Sequence, residues 1–294
     1  MKKLNSLICY TLFFVLSLSN GYATRQKEAL EFFSLKEIQM LGTLQYENQK
    51  RAIVGTKGLL HQVIEGDYIG ENNGVIKSIL YDKIQIEETI INSSTTEKIH
   101  KELTIPQNNN IKNDNPLENL SQYSGKRISV TVSQVSVRNF LIVLAQLTGN
   151  NFIVSTQVEG LTNLNVSDIP WDSAFDVLLN KNGLSYFKVC DIYLVAPAKE
   201  FMQISPEYEE LPSNCFKGEK VSFSFSQIEL KVLFELFAES KDKTVIIDAK
   251  VGGDIAINVT NRPWRLILAL VAILHDFSFE MSEKSMTISA NSKQ

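Results

Sequence analysis

From residue 128 onward the chain switches between two periodicities in a fixed order. Ile128-Ser-Val-Thr-Val132 is apolar at every second position, the rhythm of a strand with one buried face. Val137, Phe140, Leu141, Leu144 and Leu147 follow at helical spacing, and Gly149 stops that helix. Phe152-Ile153-Val154 predicts a short buried strand, and Leu164 and Val166 belong to another. Pro170 opens a second helix, where its missing N–H costs nothing. Trp171, Ala174, Phe175, Leu178 and Leu179 form its apolar face, and Gly183 ends it. Leu184 to Val189 and Ile192 to Val195 read as a closing hairpin.

The same grammar returns 93 residues later without a gap, so that 128–197 lies on 221–290. Ser133-Gln134 falls on Ser226-Gln227, Gly160 on Gly253, and Asn165-Val166 on Asn258-Val259. Pro170-Trp171 falls on Pro263-Trp264, which makes the only two tryptophans equivalent. Each copy predicts a βαββαββ module, with helices packed on a small sheet. Residues 126–198 and 219–291 bound the two copies, with a linker at 199–218.

The segment from Phe33 to about 92 has a different rhythm. Short strand candidates at 38–44, 51–54, 60–64, 75–80 and 84–86 are separated by turns such as Lys57-Gly58, Gly66-Asp67 and Asn72-Asn73-Gly74. No helical period intervenes after Gly42, which predicts a small all-β sandwich or barrel. Residues 93–125 carry Ser93 to Thr96, Asn108 to Asn110 and Asn113-Asp114-Asn115-Pro116. So little apolar content predicts a mobile linker, with a span of roughly 30 Å. The expected architecture is therefore multi-domain: a small all-β unit and two α+β modules.

Met1-Lys2-Lys3, a 12-residue apolar run from Leu7 to Leu18, and Gly21-Tyr22-Ala23 read as a secretory signal over 1–23. A membrane-spanning helix needs roughly 20 residues, so cleavage is favoured over an anchor. Either reading puts the body outside the cytoplasm, in the periplasm. The net charge of −4 becomes −6 without the two lysines of that segment, which argues against nucleic acid as a partner. Cys190 and Cys215 remain, and an oxidising compartment permits their pairing; two separate thiols are the other reading. His61, His100 and His275 are scattered without metal-spaced partners. Neither a nucleophile elbow nor a phosphate loop appears, so no catalytic, metal or cofactor site and no small-molecule substrate is expected. Trp171 and Trp264 read as helix-to-sheet packing, with interface anchors as the alternative.

Two resemblances follow from particular residues. Leu41-Gly42-Thr43-Leu44, Ala52 to Val54, Gly66-Asp67-Tyr68-Ile69-Gly70 and Gly74-Val75-Ile76 resemble the PilP family of periplasmic pilus-assembly lipoproteins, over about 55 residues. That family's β-domain is related to the homology region of GspC proteins. No lipobox precedes the segment, unlike most of that family. Val166-Ser-Asp-Ile-Pro-Trp-Asp172, Ala174, Gly183-Leu184 and Ile192 to Pro197 resemble the STN module of secretins and TonB-dependent receptors. The second copy departs from that pattern, with Arg265 after Trp264 and His275-Asp276 in place of Asn182-Gly183. Nothing here is long enough for a secretin barrel.

The resemblances imply a non-enzymatic scaffold or adaptor of a type IV pilus or secretin machine, linking the inner-membrane alignment complex to the outer-membrane secretin. Secretin and pilus-alignment proteins are the implied partners, with several copies around a secretin ring. Gly42, Gly66, Asp67, Gly70, Gly74, Pro170, Trp171, Pro263 and Trp264 are the implied motif positions, structural or at an interface. The alternatives are a periplasmic signalling module of STN type and a detached N-terminal region of a secretin.

Overall fold

The computed structural model describes residues 25–92, 95–106, 113–116, 120–201, 218–239 and 242–291. A single 3-10 turn, Ala29–Phe32, precedes the first strands and buries Leu30. Strands β1 (Gln39–Tyr46), β2 (Gln49–Thr56) and β3 (Leu59–Val63) form an antiparallel meander. Strands β4 (Tyr68–Ile69), β5 (Gly74–Ile79), β6 (Lys83–Asn92) and β7 (Thr95–Thr104) make a second antiparallel sheet.

The first copy follows as β8 (Arg127–Ser136), α1 (Val137–Thr148), β9 (Asn151–Val154), β10 (Leu161–Pro170), α2 (Trp171–Lys181), β11 (Leu184–Val189) and β12 (Ile192–Pro197). A short α3 (Ala198–Phe201) closes it. The second copy runs β13 (Lys220–Glu229), α4 (Leu230–Glu239), β14 (Thr244–Ile247), β15 (Asp254–Pro263), α5 (Trp264–His275), β16 (Phe277–Met281) and β17 (Ser285–Ala290). Strands β13, β14, β15 and β17 start and end 93 residues after β8, β9, β10 and β12. Ser136 caps α1, its hydroxyl accepting from Asn139 N, and Gly149 closes it in the left-handed region. At the end of α5, Asp276 adopts the left-handed turn that Gly183 adopts after α2.

The units do not keep their sheets to themselves. One five-stranded sheet runs β10-β8-β1-β2-β3, so the N-terminal meander continues directly into the first copy. Another runs β11-β12-β9-β15-β13, joining the first copy to the second. Among the described residues the second copy keeps to itself the three-stranded sheet β14-β17-β16.

Period-two alternation lets each shared sheet serve two cores. In β9, Phe152 and Val154 pack with α1 and α2, while Ile153 packs with α4 and α5. In β12, Tyr193 and Val195 face the first core, and Ile192, Leu194 and Ala196 the second. In the other sheet, Leu41, Leu44 and Ile53 join the α1/α2 core, while Met40, Ala52 and Val54 pack with Ile76, Ile84 and Ile86. Burying one such aliphatic or aromatic side chain contributes about 2 kcal/mol.

Three expectations are corrected. The all-β unit extends past residue 92, because β7 pairs with β6 through Thr104 and Ile105 is buried behind it. The stretch 93–125 is therefore not a linker throughout: a strand fills its first third, and two later pieces bind the first copy. Pro170 is the last residue of β10 and the N-cap of α2, so Trp171 opens the helix. Its backbone N–H donates to Lys126 O at 2.9 Å. Cys215 lies outside the described residues, while Cys190 is exposed in the β11–β12 turn at φ 57°.

Candidate functional site

Among the described residues no cluster of three or more His, Cys, Asp or Glu is placed to hold a metal ion. No helix among them is long and apolar enough to cross a membrane. The chemistry-bearing side chains gather instead at the seams between units.

At the first seam, β1 runs antiparallel to β8 with Gly42 opposite Val132 and Tyr46 opposite Ile128. Gly42 is there because nothing larger fits. A Cβ on it would lie inside contact distance of Thr131 O and 2.6 Å from Val132 Cγ1. The seam is tied by Thr43 Oγ1, which donates to Tyr81 O at 3.0 Å. The Tyr81 hydroxyl donates in turn to Asn165 Oδ1 at 3.2 Å.

The second seam pairs β9 with β15, Ile153 opposite Ile257. Arg262 reaches from β15 to Asp191 in the β11–β12 turn, its Nε donating to Oδ1 at 2.8 Å. That hydrogen bond, reinforced by the charge of Arg262, holds the Asp191 carboxyl below the usual carboxylate range. Both side chains are partly exposed, so the pair orients the turn more than it stabilises the fold. Arg138 of α1 crosses the same seam, donating to Val158 O at 3.0 Å and to Asp254 O at 3.2 Å.

A cleft of about 410 Å³ opens on this seam, lined by Thr156, Glu200, Lys250, Leu274, His275 and Phe277 among others. Glu200 Oε1 and His275 Nε2 are buried there without a hydrogen-bond partner. Burial pushes the Glu200 carboxyl up and, with the nearby Arg138 charge, pushes the His275 imidazole down to about 4. An unfolded histidine titrates near 6.5, so between pH 6.5 and 4 the unfolded chain binds the extra proton. Stability at this site is therefore present above pH 6.5 and is lost as pH falls, by about 3 kcal/mol at pH 4. Glu200 acts in the opposite sense. Urea titrations of the parent and His275→Gln at pH 7 and pH 4.5 separate them: the parent is expected to lose more stability. Parallel losses in the two proteins would exclude His275 as the titrating group.

A third set of contacts straps the segment before β8 to the first copy. Asp114 N donates to Asn165 O at 2.7 Å, and Asn165 N donates to Asp114 Oδ2 at 2.9 Å. Ser167 N donates to Asn115 Oδ1 at 2.8 Å, and Asn115 Nδ2 returns a bond to Ser167 O at 3.0 Å. Lys181 Nζ pairs with Asp114 at 2.8 Å. Further on, the Tyr123 hydroxyl donates to Asp176, and Ser124 N to Asp172, at 2.9 and 3.0 Å.

The family comparison bears on the N-terminal unit. Residues 17–104 match the family model of PilP, the pilus assembly protein. The match ends on the last residue of β7, where the second sheet of the unit also ends. A Pseudomonas aeruginosa protein named type IV pilus inner membrane component PilP is 37% identical over 67 residues, 23% of this chain and 38% of that protein. A fimbrial assembly protein PilQ of the same organism is 36% identical over 78 residues, 26% of this chain and 11% of that protein. Among solved structures, a domain of the type IV pilus biogenesis lipoprotein PilP from P. aeruginosa aligns at 32% identity over 28% of this chain and 95% of its own, with a TM-score of 0.27. The chain spans 11% of the PilQ relative and 38% of the PilP relative.

Within the PilP-matching segment the motif residues are spread along one unit. Gly42 lies on the β1–β8 seam. Gly66 N donates to Ile76 O at 2.8 Å, and Asp67 accepts from Ile64 N at 2.8 Å, together closing the turn before β4. Gly70 N donates to Leu30 O at 3.1 Å. Gly74 meets Ile69 in the β4–β5 pair, where a Cβ would crowd Ile69 O and Ile86. Pro170 and Pro263 cap their helices. Trp171 packs among Phe175 and Tyr193, and Trp264 is buried beside Phe237. Asp114, Asn115, Asp191 and Arg262 had no signal in the sequence as contact residues, since isolated polar residues carry no periodicity, whereas Asp172 stood in the STN-resembling stretch without any sign of its contact to Ser124 and Gly125.

Proposed function

We propose that this chain is a periplasmic scaffold of a type IV pilus or related secretin machine, linking the inner-membrane alignment complex to the outer-membrane secretin. The observation that carries this reading is the β1–β8 pairing, which makes the PilP-matching unit and the first βαββαββ copy one continuous sheet. A strut that transmits position between two membranes needs its units in fixed register, and strand pairing between units supplies that register. The reading is supported by relatives of two kinds, one named as an inner-membrane pilus component and the other as PilQ. The two copies are taken as STN-type modules, the first closer to the pattern than the second. Secretin and alignment proteins are the partners, met in several copies around a ring, and the signal segment is cleaved on export.

Affinity purification of the tagged chain from solubilised envelopes tests the reading. Co-recovery of the secretin together with an inner-membrane pilus protein is expected, along with loss of surface pili on deletion. Recovery of neither protein, with normal piliation, would overturn it.

The PilQ relatives favour one second reading: a detached N-terminal region that completes a secretin. It predicts recovery of the secretin alone.

A further inference from the structure

The strap at 113–116 and the seam between the two copies engage the same two residue positions, and at one of them the same backbone N–H. At the seam, Thr260 N donates to Asn151 Oδ1 at 2.8 Å, and Asn258 Nδ2 donates to Asn150 O at 2.9 Å. Ninety-three residues earlier stand Ser167 and Asn165, on the outer edge of β10. There Ser167 N donates to Asn115 Oδ1, also at 2.8 Å, and Asn165 exchanges bonds with Asp114. Asp114-Asn115 thus stands on β10 where Asn150-Asn151 stands on β15. The strap occupies the place of a preceding module's edge strand.

A strand that fits that place exists at the other end of the chain. β14 is the 93-residue equivalent of β9, and among the described residues its outer edge is unpaired. Ile153 of β9 is fully buried by the seam, whereas its equivalent, Ile246, is 55% exposed. Unpaired strand edges are templates for further pairing.

The surroundings match as well. Within the chain, Ile192, Leu194 and Ala196 of β12 share a core with the apolar α5. Their equivalents on β17 are Ser285, Thr287 and Ser289. On α2, Asp176, Asn180 and Lys181 stand where α5 has Ala269, Ile273 and Leu274. The polar sheet face therefore meets a polar helix, as the apolar face meets an apolar one. Such a contact is reversible where the internal seam is permanent.

We propose that the outer edge of β10 is the docking edge for β14 of a second copy of this chain, and that Asp114 and Asn115 hold it closed in the free chain. The register follows from the β9–β15 seam: Asn163 opposite Ile247, Leu164 opposite Ile246, and Asn165 opposite Val245 of the second copy. The contact is head-to-tail, so it closes into a ring or extends as a filament. It does not depend on the secretin assignment.

Sedimentation of the purified chain tests this, using the parent, Asp114→Ala/Asn115→Ala, and the same pair with Ile246→Lys. The strap variant is expected to associate at least tenfold more strongly than the parent, and Ile246→Lys to reverse the gain. In parallel, Asn163→Cys with Ile247→Cys, in a Cys190→Ser/Cys215→Ser background with the strap intact, is expected to give a reducible ladder of oligomers at high concentration. A strap variant that is folded by circular dichroism yet monomeric would overturn the proposal. If the strap variant fails to fold, the cysteine pair decides alone: a ladder supports the proposal, and its absence overturns it.

Discussion

Replacing Ile153 with aspartate is expected to unfold the second copy, although the residue belongs by sequence to the first. Ile153 lies in the central strand of the β11-β12-β9-β15-β13 sheet and is fully buried. Its side chain packs in the core built by α4, α5 and β15, opposite Ile257. A carboxylate there has no cation partner and must be desolvated or protonated on folding. The expected loss is about 4 kcal/mol or more, a large part of the stability of one domain. Each copy carries one tryptophan, so single-tryptophan variants report each core separately. The fluorescence transition of Trp264 should move to much lower urea, while that of Trp171 shifts less. An unmoved Trp264 transition would show that the two copies do not share this sheet.

Gly42→Val is expected to detach the PilP-matching unit from the first copy. The added side chain meets Thr131 O and Val132 on the facing strand, which cannot recede because Val132 is itself buried in the α1/α2 core. Overpacking of this kind costs about 3 kcal/mol, and here the cost falls on a strand pair. The meander keeps its own core through Met40, Ala52 and Val54, so both parts stay folded. Limited proteolysis is then expected to separate the two parts faster in the variant than in the parent. If the Proposed function is right, the same variant should retain its partners on the two separated parts but no longer carry them together. A cleavage pattern identical to the parent's would contradict the account of the seam.

Much of the local structure was legible because side-chain periodicity reports one-sided burial. The 93-residue repeat placed each strand and helix of the second copy, and the glycine and proline positions marked the helix ends. The all-β reading of the N-terminal unit also followed from its pattern. What failed was the reading of 93–125. Glu97 to Glu102 is mostly polar and charged, yet Thr95–Thr104 forms a ten-residue strand, because backbone bonds to β6 hold it along its length while little more than Leu103 packs on the core. Asp114 and Asn115 looked like solvated linker for a related reason. Each acts as a hydrogen-bonding group on a neighbour's backbone, a role that composition does not reveal.

The sequence by itself determined the order of elements within the two copies, the duplication and the positions that must be glycine. Only the tertiary structure decided which edges meet. Edge pairing is made by backbone N–H and C=O groups, which every residue but proline carries alike, so it leaves no residue code in the chain. Gly42 is the partial exception, since a strand that approaches so closely leaves no room for a side chain. For the same reason β9 and β14, equivalent in sequence, differ in what covers them: one lies between two strands of a shared sheet and the other, among the described residues, is an edge strand.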